Sequence, residues 1–196
     1  MHGYQRLAYD FLRANPFSAF FCDMGLGKSV TSLTLIVDLL CSFQTDKVLV
    51  IGPLKVATDT WPNEIRRWEH TAILNHEVLR CDEDDPEVRA AMGEAHKRAR
   101  LMGHAGDRVT KAVQDAKNRT MDKIRRRKAF SSASVHIINR EQIEWLVNLH
   151  GPNWPYRTVI IDESSSFKDP STHRFKALAK VRRTEGLITR MHLLTA

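Results

Sequence analysis

The sequence predicts an α/β domain built on a parallel sheet with helices on both faces. Three observations carry that prediction. An apolar run over 17–21 enters a glycine loop, Cys22-Asp23-Met24-Gly25-Leu26-Gly27-Lys28-Ser29, and a helical pattern leaves it over 30–40. Val48-Leu49-Val50-Ile51, within 47–51, is a short continuous apolar run, the signature of a strand buried on both faces, and 135–138 and 158–161 read as further strands. Helical patterns separate these runs, and such alternation calls for a parallel sheet.

The elements follow in order. Residues 3–12 read as a helix with Tyr4, Leu7, Ala8 and Phe11 on one face, ended by Asn15-Pro16. The first strand, the loop and its helix come next. Gly52-Pro53 closes the 47–51 strand. Residues 58–68 read as helical, with Trp61, Ile65 and Trp68 sharing a face. Both tryptophans read as core residues rather than base-stacking platforms. A weak third strand is expected at 76–79. Asp82 to Asp85 form an acidic turn, and Pro86 suits the first position of a helix. Alanine- and arginine-rich stretches then predict helices at about 87–102 and 107–129, broken by Gly103-His104-Ala105-Gly106. This segment, 82–130, reads as a helical hairpin inserted into the α/β core. Beyond it come a strand at 135–138, a helix at 141–149, a strand at 158–161, a helix at 172–181 and a last strand from His192.

The glycine loop has the layout of a phosphate cradle. Gly25 and Gly27 let the backbone approach a phosphate chain, and the following helix N-terminus adds partial positive charge. Lys28 is placed for β- and γ-phosphates and the Ser29 hydroxyl for Mg²⁺. The strict pattern has a glycine five residues before Gly27, where this chain has Cys22. The second constellation is Val159-Ile160-Ile161-Asp162-Glu163. An apolar parallel strand ending in two carboxylates puts them at the sheet edge where ligands sit. Asp162 can hold Mg²⁺ and Glu163 can orient and deprotonate an attacking water.

Bulk properties bound the rest. The chain has 196 residues, 42% hydrophobic and 27% charged, enough for one α/β domain with an insertion. No apolar run reaches membrane-span length, and the N-terminus lacks a cleavable-signal layout, so a cytoplasmic setting is expected. Cys22, Cys41 and Cys81 are odd in number and widely spaced, which suits a reducing compartment and gives no metal pattern. The net charge of +7 permits a polyanionic partner. Twelve Lys or Arg against three Asp lie in 97–128, so that stretch carries more than the whole excess. Its run Arg125-Arg126-Arg127-Lys128 is open between a solvated helix end and a phosphate contact. His96, His104 and His136 show no ligand spacing.

These residues resemble the first RecA-like lobe of superfamily-two helicases and translocases, most of all the Swi/Snf branch and its small phage and bacterial members. The resemblance covers nearly all the chain outside 82–130. Gly3-Tyr4-Gln5 looks like the adenine-reading glutamine motif. Asp23-Met24-Gly25-Leu26-Gly27-Lys28-Ser29 looks like motif I of that branch, in which the position of Cys22 is usually not glycine. Pro53-Leu54-Lys55 with Trp61, Glu64 and Trp68 is similar to motif Ia. Ile138-Asn139-Arg140-Glu141 resembles the segment that approaches nucleic acid. Asp162 to Lys168 looks like motif II, with serines where many relatives have alanine and histidine. Leu193-Leu194-Thr195-Ala196 looks like the start of motif III.

The resemblance implies a RecA-like P-loop lobe, over 1–196, of an ATP-driven motor on double-stranded DNA. It implies Gln5 on adenine, Asp23 to Ser29 around the phosphates, Ser29 and Asp162 on Mg²⁺, and Glu163 on the attacking water. Pro53, Lys55, Asn139 and Arg140 would lie near the nucleic-acid backbone, and Thr195 would couple nucleotide state to that face. A second RecA-like lobe, in cis or in trans, is expected to supply a catalytic arginine. Two rival readings are a P-loop ATPase of another kind, such as a packaging motor, and a nucleic-acid-binding remnant without turnover.

Overall fold

The computed structural model describes residues 2–23 and 25–195. The chain divides into two compact units, Met1–Val78 together with Ser132–Ala196, and Leu79–Ser131.

The first unit is a six-stranded, wholly parallel sheet in the order β1-β6-β5-β2-β4-β3. Its strands are β1 (Phe17–Phe21), β2 (Val48–Gly52), β3 (His76–Val78), β4 (Val135–Asn139), β5 (Thr158–Ile161) and β6 (Arg190–Thr195). β2 and β5 are buried at every position, which explains why they read as continuous apolar runs rather than alternating ones. Val48 and Val50 point to one face, where Leu33 and Ile36 of α2 (Lys28–Cys41) and Trp61 and Ile65 of α3 (Trp61–Arg67) complete the core. Ile161 and Leu193 point to the other, where they share a groove with Leu178 and Ala179 of a C-terminal helix, His173–Arg183.

Two sequence expectations change here. The first helix, α1 (Gly3–Ala14), does not bury Tyr4, Leu7 and Phe11, which remain exposed. It packs through the neighbouring stripe: Leu12 and Tyr9 meet Leu35 and Leu39 of α2, and Gln5 is buried. A helix this apolar offers two adjacent stripes, and spacing alone does not choose between them. The predicted 58–68 helix is a π-helical turn, Val56–Thr60, followed by α3, which stops at Arg67. Trp68 then has extended backbone (φ −109°, ψ 130°), so it leaves the face that carries Trp61 and Ile65 into the core.

The second unit is a helical hairpin, α4 (Pro86–Leu101) and α5 (Asp107–Ala129). Pro86 opens α4, and the Asp85 side chain caps it by accepting the Glu87 N–H at 2.9 Å. Val88, Ile124 and Cys81 form its small core, with Met92 and Met121 against them. The remaining helices, in chain order after α5, are α6 (Ile143–His150) and α7 (His173–Arg183).

Two histidines lie inside the sheet layer. His136 of β4 is fully buried, its Nδ1 2.7 Å from the Tyr156 hydroxyl. His192 of β6 is fully buried, its Nδ1 2.8 Å from the Ser18 hydroxyl. Burial, and then the neighbouring charge of Lys47, pushes His136 down to about 3. Burial, and then Arg190, pushes His192 down to about 4. Both stay neutral when folded and protonate near their ordinary value when unfolded. The unfolded chain therefore binds more protons in acid, and stability is full above about pH 6.5 and falls below it. The expected loss between pH 7.5 and pH 5 is about 2 kcal/mol per histidine. Urea unfolding across that range measures it, and the imidazole C2 proton resonances of both histidines should not move above pH 5.

Candidate functional site: one rim of the sheet

All strands run the same way, so their C-terminal ends share one rim. Along it, in sheet order, lie the glycine loop after β1, Thr195 at the end of β6, Asp162-Glu163 after β5, Pro53 and Lys55 after β2, and Asn139-Arg140 at the end of β4. Register fixes the neighbours: Phe21 pairs with Thr195, Ile161 with Leu193, Ile51 with Ile161, and Gly52 with Asn139. Two backbone bonds extend the pairing past the strands. Cys22 N–H donates to Thr195 O at 3.2 Å, and Asp162 N–H donates to Ile51 O at 2.7 Å.

The loop has the conformation its glycines suggest. Gly25 and Gly27 have φ of +81° and +80°, the left-handed region that penalises side chains. Gly27 has a second constraint, because a Cβ there would lie 2.3 Å from Gln5 Nε2. Gln5 is held over the loop. Its Oε1 accepts the His2 N–H at 2.9 Å and its amide reaches Leu26 O at 3.4 Å. Lys28 Nζ donates to the carbonyls of Cys22 and of Asp23, the latter at 3.0 Å. Asp23 and Leu26 are exposed on the loop, and Met24 falls outside the described residues.

A cleft of about 690 Å³ opens beside the loop, within the usual range for small-molecule sites. Gln5, Gly25, Gly27, Lys28 and Ser29 form one wall. The opposing wall is the end of the π-helical turn, α3 and the turn after it: Thr60, Glu64, Arg67, Trp68 and His70. Glu64 orders that wall by accepting from Trp68 Nε1 at 2.9 Å and pairing with Arg67 at 3.3 Å. The Arg67 guanidinium lies over the Trp68 ring, 5.1 Å from its centroid. The core reading of Trp68 is thus replaced by a place on the cleft wall, because α3 ends one residue before it.

Asp162 and Glu163 do not line this cleft. Asp162 is buried and its carboxylate is held by two donors, Trp61 Nε1 to Oδ2 at 3.0 Å and the Glu163 N–H to Oδ1 at 2.9 Å. Burial pushes its carboxyl up, while the Trp61 bond, the Glu163 N–H and the charge of Lys28 pull it down. Lys28 is therefore close enough to act on Asp162 electrostatically. Glu163 is exposed and has φ +49°, one of two non-glycine residues in the left-handed region among the described residues. Backbone of this kind costs of order 1 kcal/mol or more and persists where the surroundings hold it. Here a 3₁₀ turn, Ser164–Phe167, follows directly.

Trp61 is the residue that sequence reasoning placed in the core without seeing its second task. Its ring fills the sheet core, fully buried, while its N–H reaches a carboxylate 101 residues away. On the far side of the rim, Glu141 gathers Asn139, which ends β4, and Arg140, which follows it. Asn139 Nδ2 donates to it at 3.2 Å and Arg140 Nε at 2.9 Å. Lys55 is exposed.

Comparison with known proteins gives the same outline. The SNF2-related domain profile matches residues 12–189. Protein p41 of Acyrthosiphon pisum secondary endosymbiont phage 1 is 30% identical over 183 residues, which is 91% of this chain and 32% of p41. The Sulfolobus solfataricus SWI2/SNF2 ATPase core, solved in complex with dsDNA, superimposes with a TM-score of 0.60 at 18% identity, over 98% of this chain and 31% of that one. The chain spans about a third of the length of these two relatives.

The Trp61–Asp162 bond makes a measurable coupling. A double-mutant cycle with Trp61→Phe and Asp162→Asn, followed by urea unfolding at pH 7.5, should give an interaction energy of about 1.5–3 kcal/mol, the range for a hydrogen bond to a charged group. Additive losses would mean the bond contributes nothing.

Proposed function

Because the chain belongs to the SNF2-related domain family, with the RecA-like α/β fold of its ATPase core, we propose that it is the ATP-binding lobe of a DNA-dependent ATPase that moves on duplex DNA once a second RecA-like lobe completes it. The observation that carries this reading is the shared rim. One edge of one sheet presents a glycine loop with its lysine, a buried aspartate within that lysine's field, and two further strand ends with polar and basic residues.

ATP fits the cleft beside the loop. Gln5 is buried and fixed at both ends of its amide, so it is placed to read the adenine edge. Gly25 leaves the backbone open to phosphates, and Gly27 lets Gln5 close over the loop. Lys28 already donates to two carbonyl oxygens, and phosphate oxygens are stronger acceptors for the same ammonium. Ser29 and Asp162 provide hard oxygen donors of the kind Mg²⁺ takes. Each Asp162 oxygen accepts one hydrogen bond, which leaves lone pairs for a cation. Among the described residues no three His, Cys, Asp or Glu groups gather as a metal cage. This matches an ion that keeps several waters and shares phosphate oxygens rather than one held by protein alone. When bound, Mg²⁺ would neutralise charge on the transferred phosphoryl group.

Glu163 is exposed beside Asp162 and serves as the base that orients the attacking water. Thr195 is bonded through its carbonyl to the start of the glycine loop, so movement of the loop is felt at the end of β6. Pro53, Lys55, Asn139 and Arg140 would meet the nucleic-acid backbone on the same rim. The dsDNA bound by the Sulfolobus relative supports a duplex partner. No helix among the described residues is long and apolar enough to cross a membrane. That, with the phage origin of p41, supports action in the cytoplasm of a bacterial or phage-infected cell. Membership of the SNF2-related family weighs against a packaging motor.

A fluorescent ATP analogue titrated with Mg²⁺ tests the reading. Wild type should bind, and Lys28→Ala should weaken binding at least tenfold. Glu163→Gln should keep binding and remove residual turnover by about 10² or more. Turnover by the 196-residue chain alone should be slow, because an arginine supplied from outside such a site is worth about 10³ to 10⁵ in rate. Brisk DNA-stimulated hydrolysis by this chain alone would contradict the need for a second lobe.

A further inference from the structure

The hairpin Leu79–Ser131 separates its charges along its length. At its open end the basic residues are matched by acids. Lys117 pairs with Glu83 at 2.8 Å, Lys123 and Arg127 with Glu87 at 3.2 and 3.1 Å, and Arg126 with Asp122 at 2.6 Å. Lys128 Nζ donates to Arg80 O at 2.9 Å. Arg126, Arg127 and Lys128 are thus committed within the hairpin, which removes them as the foremost phosphate contacts.

The closed end is different. Arg98 and Arg100 finish α4, and Arg108 and Lys111 begin α5, on either side of the turn. All four are exposed, and among the described residues none of their side chains has a hydrogen-bond or ion-pair partner. Helix stability accounts for only half of them. Arg98 and Arg100 favour the negative end of the α4 dipole, whereas Arg108 and Lys111 sit at the positive end of α5, where cations are unfavourable. Three of the four are arginines, whose planar fork matches phosphate oxygens.

We propose that the closed end of the hairpin is a contact surface for the sugar-phosphate backbone of duplex DNA, formed by Arg98, Arg100, Arg108 and Lys111. It rests on the reading of the chain as a DNA-dependent ATPase lobe and gives the hairpin its part in that activity. The contact adds affinity without base choice and weakens with salt.

The test measures binding of a fluorescein-labelled duplex of about 20 base pairs by anisotropy from about 50 to 200 mM NaCl, with a fluorescent ATP analogue titrated in parallel. Reversing all four charges to Glu should cost at least tenfold in duplex affinity at 100 mM NaCl. It should flatten the log–log salt slope by about two to four, close to 0.9 per lost phosphate contact. ATP-analogue affinity should not change. Arg126→Ala with Arg127→Ala should shift duplex affinity less than twofold. If circular dichroism shows lost helix in the Glu variant, the four-fold Gln variant replaces it, with the same direction expected. Salt-sensitive duplex binding that is equal in wild type and tip variants would overturn the inference and leave the ATPase reading standing. Wild type that binds the ATP analogue but no duplex would overturn both. Tip-dependent binding to anionic phospholipid vesicles without duplex binding would assign the surface to a membrane and overturn the proposal.

Discussion

Parallel pairing of β1 with β6 and of β6 with β5 is the constraint from which the site follows. Each parallel neighbour brings another strand end to the same rim, so loops far apart in sequence become adjacent. The glycine loop at 22–29 and the acidic pair at 162–163 share that rim because Phe21 registers with Thr195 and Ile161 with Leu193. Shifting either register by one residue would reverse the side-chain faces of β6, where His192 and Leu194 are fully buried. The core therefore enforces the geometry of the rim.

Burial of Asp162 sets the character of that rim. A carboxylate this enclosed is costly unless it is paired and hydrogen-bonded. The chain holds it with an indole N–H, a backbone N–H and a nearby ammonium. The backbone donor belongs to Glu163, which has a left-handed φ and whose own side chain stays exposed. Trp61 ties that arrangement to the hydrophobic core, so packing of α3 and placement of the aspartate are coupled.

Much of this was legible in the residues. The buried strands announced themselves because both faces of the sheet are covered, which makes 48–51 and 159–161 continuously apolar. The hairpin was legible because Asp85-Pro86 and the glycine-rich turn punctuate it chemically. The glycine loop and the Asp-Glu pair stood out because their spacing and context are specific. Other features depended on tertiary choices that no local pattern records. The packed stripe of α1 was decided by what α2 offers, Leu35 and Leu39, rather than by the apolarity of Tyr4, Leu7 and Phe11. Trp68 left the core because α3 stops at Arg67. The Trp61 bond to Asp162 spans 101 residues. The pairing of Arg127 needed the fold to bring Glu87 alongside.

The central claim is that Lys28, Asp162 and Glu163 serve one nucleotide and its metal ion. A crystal structure of the chain grown with Mg²⁺ and a non-hydrolysable ATP analogue tests it most directly. The account predicts the triphosphate on the N–H groups of 25–29, Lys28 Nζ moved from the carbonyls of Cys22 and Asp23 onto phosphate oxygens, and Asp162 in the coordination or first water layer of the metal. A nucleotide bound elsewhere, or bound in this cleft with Asp162 turned away from its metal, would contradict it.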